Sequence, residues 1–159
     1  MDKIELEFLR ESNAIERVYD EDSLRQAVKA WEYLKTRDVL TIHDVLETHR
    51  ILMLHQNLQV NEIGMFRRVP VYIGGHEALD WRMVAPSMQQ WCFEGIRQSP
   101  PINPVLLHVE YERIHPFVDG NGRTGRMFMN WQFMKRLNMP IMVIHEGTEQ
   151  MEYYNWFRK

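Results

Sequence analysis

The chain has 159 residues, 45% of them hydrophobic, with 19 Lys and Arg against 22 Asp and Glu. One domain of this length can bury roughly two thirds of its unfolded surface without a disulfide or metal staple. The net charge of −3 excludes the overall basic field of a nonspecific nucleic-acid binder, and the single Cys92 excludes an internal disulfide framework.

No apolar run approaches the roughly 20 residues of a membrane span, and the opening MDKIELEFLRE has no signal-peptide core. The expectation is one domain over residues 1–159, in a reducing, cytoplasmic compartment. Helical patterns dominate. Ile4, Leu6, Phe8, Leu9 and Ile15 sit among acids in a first short helix with a strongly negative outer face. Asp22 or Ser23 is the expected cap of a second helix carrying Leu24, Ala27, Val28, Trp31 and Leu34. Thr41 and Asp44 resemble a capping box before Val45, Leu46, His49, Leu52 and Met53. Pro86 and Ser87 open a further helix through Met88, Trp91, Phe93 and Ile96, which Pro100, Pro101 and Pro104 close. Val105 to Phe117 is predicted helical, Val118 to Gly122 a turn, and Arg123 to Leu137 helical again. No fixed-period repeat interrupts this order.

One segment departs from the helical rhythm. In FRRVPVYIGG, Val69, Val71 and Ile73 alternate at period two and lead into Gly74-Gly75. Pro70 confines such a strand to an edge or a bulge. A lone hairpin cannot form a core layer in a helical domain, so it is expected as a surface flap.

Chemistry concentrates in HPFVDGNGRTGR, residues 115–126. Gly120-Asn121-Gly122 allows positive φ and leaves backbone N–H groups free to converge. A helix begins directly afterwards with unpaired amides, which makes an anion cradle. Arg123 and Arg126, three apart, lean over the same turn and add charge where phosphates would lie. Asp119 beside such a cradle suits Mg²⁺, which takes one or two carboxylates plus phosphate oxygens. His115 has the ordinary pKa of a general base near neutrality. Base, metal ligand, phosphate nest and arginine pair make up the parts of phosphoryl or nucleotidyl transfer. A plain helix–loop–helix turn accounts for one glycine and not for the rest.

These residues resemble the Fic motif, His-x-Phe-x-Asp/Glu-Gly-Asn-Gly-Arg-x-x-Arg, with every fixed position filled. Residues 64–76, beginning GMFRRVPVYIG, look like the family's flap, and Tyr153-Tyr154 falls where relatives carry a Tyr-Tyr pair near the nucleotide base. The resemblance implies a mainly α Fic-type helical bundle with a small β-hairpin flap. It implies transfer of AMP from ATP to a Tyr, Thr or Ser hydroxyl of a target protein, with Mg²⁺ or Mn²⁺ as cofactor. His115 would deprotonate the hydroxyl and Phe117 would anchor the loop. Asp119 would hold the metal between the α- and β-phosphates. Gly120, Asn121 and Gly122 would cradle phosphates, Arg123 would bind the β-phosphate and Arg126 the γ-phosphate. The flap residues Val69, Val71, Tyr72 and Ile73 would hold the protein substrate, and Tyr153 and Tyr154 would form the base pocket. Relatives resembling the Doc toxin carry lysine in place of the second loop glycine and phosphorylate instead. Gly122 therefore favours nucleotidyl transfer.

Many relatives also carry an inhibitory helix, Ser/Thr-x-x-x-Glu-Gly/Asn, whose Glu pairs with the second motif arginine. Ser12 and Glu16 match it within residues 1–20, but Arg17 stands where Gly or Asn is usual. Two further functions use the same site: removal of AMP from a modified target with Glu16 orienting a water, and nucleotide-dependent binding without turnover. The intact His115 argues against the last.

Other constellations carry less. His43, His49 and His55 step by six residues, about 600° of helix, so they share no face. His108 and His115 share one but lie about 10 Å apart, too far for one metal. Arg67-Arg68 is weak support for nucleic-acid contact, and neither a membrane nor a direct nucleic-acid partner is expected. Cys92 between Trp91 and Phe93 is expected as a buried thiol, and most of the eleven Met and five Trp as core.

Overall fold

The computed structural model describes residues 1–158. Helix α1 (Lys3–Ile15) starts from a capping box between Asp2 and Glu5. Phe8, Leu9 and Ile15 turn inward, while Ile4 and Leu6 stay exposed. Helix α2 (Glu21–Lys35) is capped by Asp20, not by Asp22 or Ser23. Ser23 is the third helical residue, and its N–H and hydroxyl both donate to the Asp20 carboxylate. Helix α3 (Ile42–Met53) opens on the Thr41–Asp44 capping box that the sequence announces.

Between α3 and the next helix lies the flap. Its strands β1 (Tyr72–Ile73) and β2 (His76–Glu77) are two residues each and antiparallel, with Tyr72 opposite Glu77 and Ile73 opposite His76. Gly74 and Gly75 turn the corner with φ of 56° and 82°, the pair of positive values that a two-residue type I′ hairpin needs. Val69 and Val71 lie outside the strands, so the period-two pattern overstates the sheet. Pro70 cannot donate to a ladder, which leaves only the residues beyond it to pair.

Helix α4 (Val84–Gln90) begins two residues before Pro86 and runs on as a π-helical turn through Trp91–Ile96. Trp91, Cys92 and Ile96 are buried, and Phe93 faces out. Asn103 caps α5 (Pro104–Ile114), with Pro104 at its first position. This helix ends three residues before the expected Phe117. Helix α6 (Asn121–Lys135) starts two residues earlier than expected. Helix α7 (Thr148–Asn155) closes the described chain.

Helix α6 is buried nearly all round, from Arg123 to Phe133, and packs against α1, α2, α3 and α5. Phe8, Trp31, Tyr111, Phe117, Phe128 and Trp131 belong to the main core around it. Each such apolar side chain contributes about 1.5–3 kcal/mol relative to exposure. Asn130 on α6 exchanges two hydrogen bonds with the backbone of Met142. That exchange lays the segment after α6 along it and brings α7 back to the end of α1. A second small cluster of Ile15, Ile144 and Tyr153 seals that junction.

Candidate active site

His115 terminates α5 because it adopts the left-handed conformation, φ 51° and ψ 64°, with its N–H bonded to Tyr111 O. Its backbone carbonyl accepts from Arg67 Nε at 2.6 Å. Its ring Nδ1 lies 3.3 Å from Glu112 O. A carbonyl only accepts, so Nδ1 carries the proton and Nε2 keeps a lone pair. Burial lowers the His115 pKa below its ordinary 6.5, so the ring is neutral at pH 7.

The loop after it is held from inside. Phe117 is fully buried and stacks on His49, with ring centroids 3.7 Å apart. The Asn121 side chain bonds both the N–H and the C=O of Phe117 at 2.8 Å. That side chain therefore braces the loop, and Asn121 has only its backbone amide to offer a phosphate. Gly120 sits at φ 85° and α6 has no side-chain cap, so its first amides stay unpaired. Gly120 to Arg123, with Glu16, Glu112, His115, Val118 and Asp119, line a cavity of about 120 Å³.

Arg123 supplies the charge. Its guanidinium is buried, and Nε and Nη1 have no partner among the described residues. The Asp119 carboxylate is 3.8 Å from Nη2. Burial lowers its pKa, and two open donors on a sheltered cation create demand for an anion.

Arg126 is in the opposite condition. It donates to Ser12 Oγ at 2.8 Å, Ser12 O at 3.0 Å, Glu16 Oε1 at 2.9 Å and Tyr153 Oη at 3.0 Å. It also lies 5.5 Å from the Tyr153 ring centre. Burial opposes its charge, but Tyr153 and Glu16 together raise its pKa. Ser12 and Glu16 thus meet Arg126 across more than a hundred residues of chain. Glu16 can reach because α1 ends in a Schellman turn: Val18 N–H bonds Asn13 O and Arg17 N–H bonds Ala14 O. Arg17 occupies the left-handed position at φ 57°, the place that the inhibitory-helix resemblance expects Gly or Asn to fill. A Cβ on Gly122 would overlap the Glu16 carboxylate and crowd Arg126 Nη1, so this glycine makes room for the pair.

A second, larger cleft of about 560 Å³ adjoins the first and is lined by Glu16, Ile73, Val109, Glu112, Arg126, Tyr154, Trp156 and Phe157 among others. Tyr154 is exposed along its wall. Tyr153 is buried, and its hydroxyl is committed to Arg126 and to His108 Nε2 at 2.8 Å. Both tyrosines of the expected pair line the cleft, Tyr153 from its buried side with its hydroxyl committed and Tyr154 from the exposed side, beside Trp156 and Phe157. Of the flap residues, Tyr72 and Ile73 are exposed on β1 and Ile73 reaches this cleft. Val69 and Val71 do not line it.

Asp119 fits a divalent ion of the Mg²⁺ kind. Its carboxylate is 57% exposed and lies at the nest beside the unpartnered Arg123 donors. No group of three His, Cys, Asp or Glu able to hold a metal occurs among the described residues. The donor set therefore suits a cation that takes its remaining ligands from phosphate and water.

Three residues outside the 115–126 motif belong to the site's frame. His49 Nδ1 accepts from Gly64 N–H, so its Nε2 donates to Asp119 O at 2.8 Å. It ties the start of the flap to the loop, and burial lowers its pKa to about 4. Nothing in its sequence neighbourhood signals this. Arg67 is buried and spends its donors on the carbonyls of Ile114, His115, Val69 and Leu79, so it is not available to a nucleic acid. His108 is buried beneath Tyr153, with its pKa lowered to about 3 by burial and by Arg126.

The geometry has counterparts in known proteins. A sequence model of the Fic/DOC family matches residues 33–133. "Protein adenylyltransferase Fic" of Drosophila grimshawi is 35% identical over 104 residues, covering 61% of this chain and 21% of that protein. The protein of the same name from Drosophila erecta is 36% identical over 102 residues, again 61% of this chain and 20% of that one. The chain thus spans about a fifth of the length of the curated relatives it matches. A Fic-domain-containing signaling protein from Bacteroides thetaiotaomicron superposes with a TM-score of 0.80 at 23% identity, covering 97% of this chain and 70% of that one. Fic-1 from C. elegans superposes at 0.78 and 21% identity, covering 98% and 55%. At those identities the structures establish a shared fold. No helix among the described residues is long and apolar enough to cross a membrane. The motif, its matched span and the helical frame around it make this chain a member of the Fic/DOC family.

Proposed function

We propose that this chain transfers AMP from ATP to a hydroxyl side chain of a target protein. The observation that carries the proposal is Arg123, a sheltered guanidinium with two open donors beside the uncapped start of α6. Such a site binds polyphosphate. The neutral His115 at its edge has a free Nε2 and takes the proton of the target hydroxyl. The hydroxyl oxygen attacks the α-phosphorus, the bond to the bridging oxygen of the β-phosphate breaks, and pyrophosphate leaves. Mg²⁺ or Mn²⁺ held through Asp119 would offset the phosphate charge. Catalysis rests on positioning and charge, which suits a site built from a turn. The exposed Tyr72–Ile73 edge offers backbone partners to an extended target segment.

Glu16 acts as a brake by holding Arg126, the cation available to the terminal phosphate. A second activity, hydrolytic removal of AMP, is favoured by one observation. Glu16 lines the nest together with His115, and the cleft as well. Incubation with ATP labelled at the α- or the γ-phosphate separates these. Label from α and not from γ on protein is the expected result. Transfer from γ means a kinase, and free AMP released from a modified target means removal.

A further inference from the structure

The nest and the larger cleft share two wall residues, Glu16 and Glu112. If phosphates occupy the first and a base the second, the sugar that joins them lies where the two cavities meet, beside these side chains. Glu16 is committed to Arg126. Glu112 is not committed: its Oε1 is buried and has no hydrogen-bond partner among the described residues. Buried carboxyl oxygens are ordinarily bonded, so one left open beside a cleft points to a ligand donor. Glu112 is also held in place. It lies on α5, and its backbone carbonyl is the acceptor that orients the His115 ring.

We propose that Glu112 reads the sugar of the nucleotide, its carboxyl group bonding the ribose hydroxyls and selecting ribonucleotides over deoxyribonucleotides. The assignment rests on the nucleotide-binding proposal above and names which part of the ligand this residue takes. Two features support it. A ribose hydroxyl both donates and accepts. Burial raises the Glu112 pKa to about 7, with the Glu16 carboxylate adding to the rise and Arg126 opposing it, so the group too can donate or accept at neutral pH. A carboxyl held partly neutral also avoids the repulsion that a full negative charge would exert on a triphosphate.

The test is calorimetric binding of ATP, 2′-deoxyATP and 3′-deoxyATP to the chain and to Glu112→Ala, Glu112→Met and Glu112→Gln. The chain is expected to bind ATP about 10-fold more tightly than at least one deoxy analogue, the scale of one hydrogen bond to an ionisable group. Glu112→Ala and the volume-conserving Glu112→Met should weaken ATP to the level of that analogue and leave the analogue within about twofold. Glu112→Gln, which keeps an acceptor and a donor, should retain most of the preference. Melting temperatures should not fall, since the removed oxygen has no partner. Equal weakening of all three nucleotides, or a preference that survives in both Glu112→Ala and Glu112→Met, overturns the assignment. Tight ATP binding with no preference in the parent chain also overturns it while leaving adenylylation standing. Absence of ATP binding altogether removes both.

Discussion

The decisive perturbation is Glu16→Gly. Arg126 is buried and makes four hydrogen bonds, of which the Glu16 contact at 2.9 Å is the only one to a carboxylate. The Glu16 side chain is 40% exposed, so water screens one side of the pair. Fully exposed ion pairs contribute about 0–1 kcal/mol and charge-assisted hydrogen bonds about 1.5–3. A half-sheltered pair lies between, at about 1–2 kcal/mol. Removing it should raise productive ATP binding, and with it adenylylation, about 5- to 30-fold. The two Ser12 contacts remain, so Arg126 keeps its place, and water can enter where the carboxylate was. Stability should fall by about 1–2 kcal/mol, the contribution of the pair itself. The assay is incorporation of α-labelled ATP into target and into the chain itself, with thermal unfolding as the control for fold. Glu16→Asp should relieve the brake partly, because the shorter arm weakens the bond without abolishing it. Glu16→Gly combined with Arg126→Ala should show no activation. An unchanged rate in a folded Glu16→Gly protein refutes the brake. Equal activation with and without Arg126 refutes the route through this arginine.

His115→Ala should abolish transfer while nucleotide affinity stays within about threefold, since the ring acts on the hydroxyl and not on phosphate. With the His115 pKa lowered by burial, the acid limb of the rate profile should lie below pH 6.5, and a limb above 6.5 would contradict that environment. Activity should vanish in chelator and return with Mg²⁺ or Mn²⁺. Asp119→Ala should remove turnover at a stability cost below about 1 kcal/mol by chemical denaturation, because the carboxylate is largely exposed. Stability should fall as pH drops from 6.5 to 5. The folded pKa values of His49 and His108, about 4 and about 3, lie below the unfolded 6.5, so their contribution is lost as pH falls, by about 3 kcal/mol together over this interval. Glu112, raised to about 7, acts in the other direction and offsets about 1.5 kcal/mol, leaving a net loss of about 1.5 kcal/mol in urea titrations at the two pH values. Arg17→Gly should stabilise the chain by about 0.5–1 kcal/mol by relieving the left-handed residue at the end of α1, and a destabilised variant would show that Arg17 makes contacts outweighing its backbone cost.

What the amino-acid sequence determined by itself is local. The Thr41–Asp44 box, the glycines of the flap turn and the HPFVDGNGRTGR loop are legible because caps, positive φ and helix starts depend on neighbours a few residues away. The same rule explains the boundary errors. Ser23 has the chemistry of a cap, and only the orientation of Asp20 decides between them. The helical pattern before His115 continues into Pro116-Phe117, yet α5 stops where His115 turns left-handed under the pull of Arg67 on its carbonyl. Tertiary structure alone decided the long-range parts of the site. Ser12 and Glu16 converge with Tyr153 on one buried guanidinium because Asn130 and the Ile15–Ile144–Tyr153 cluster bring α7 against the end of α1. His49 becomes a brace of the active loop only once α3 packs under Phe117. Tyr153 and Tyr154 read alike as a pair and both line the cleft, but one is buried with its hydroxyl on Arg126 and the other stays exposed along the wall. Periodicity and capping act within one or two helical turns, whereas the partner of a buried charge is chosen by whichever distant donors and acceptors the packed core leaves within about 3 Å.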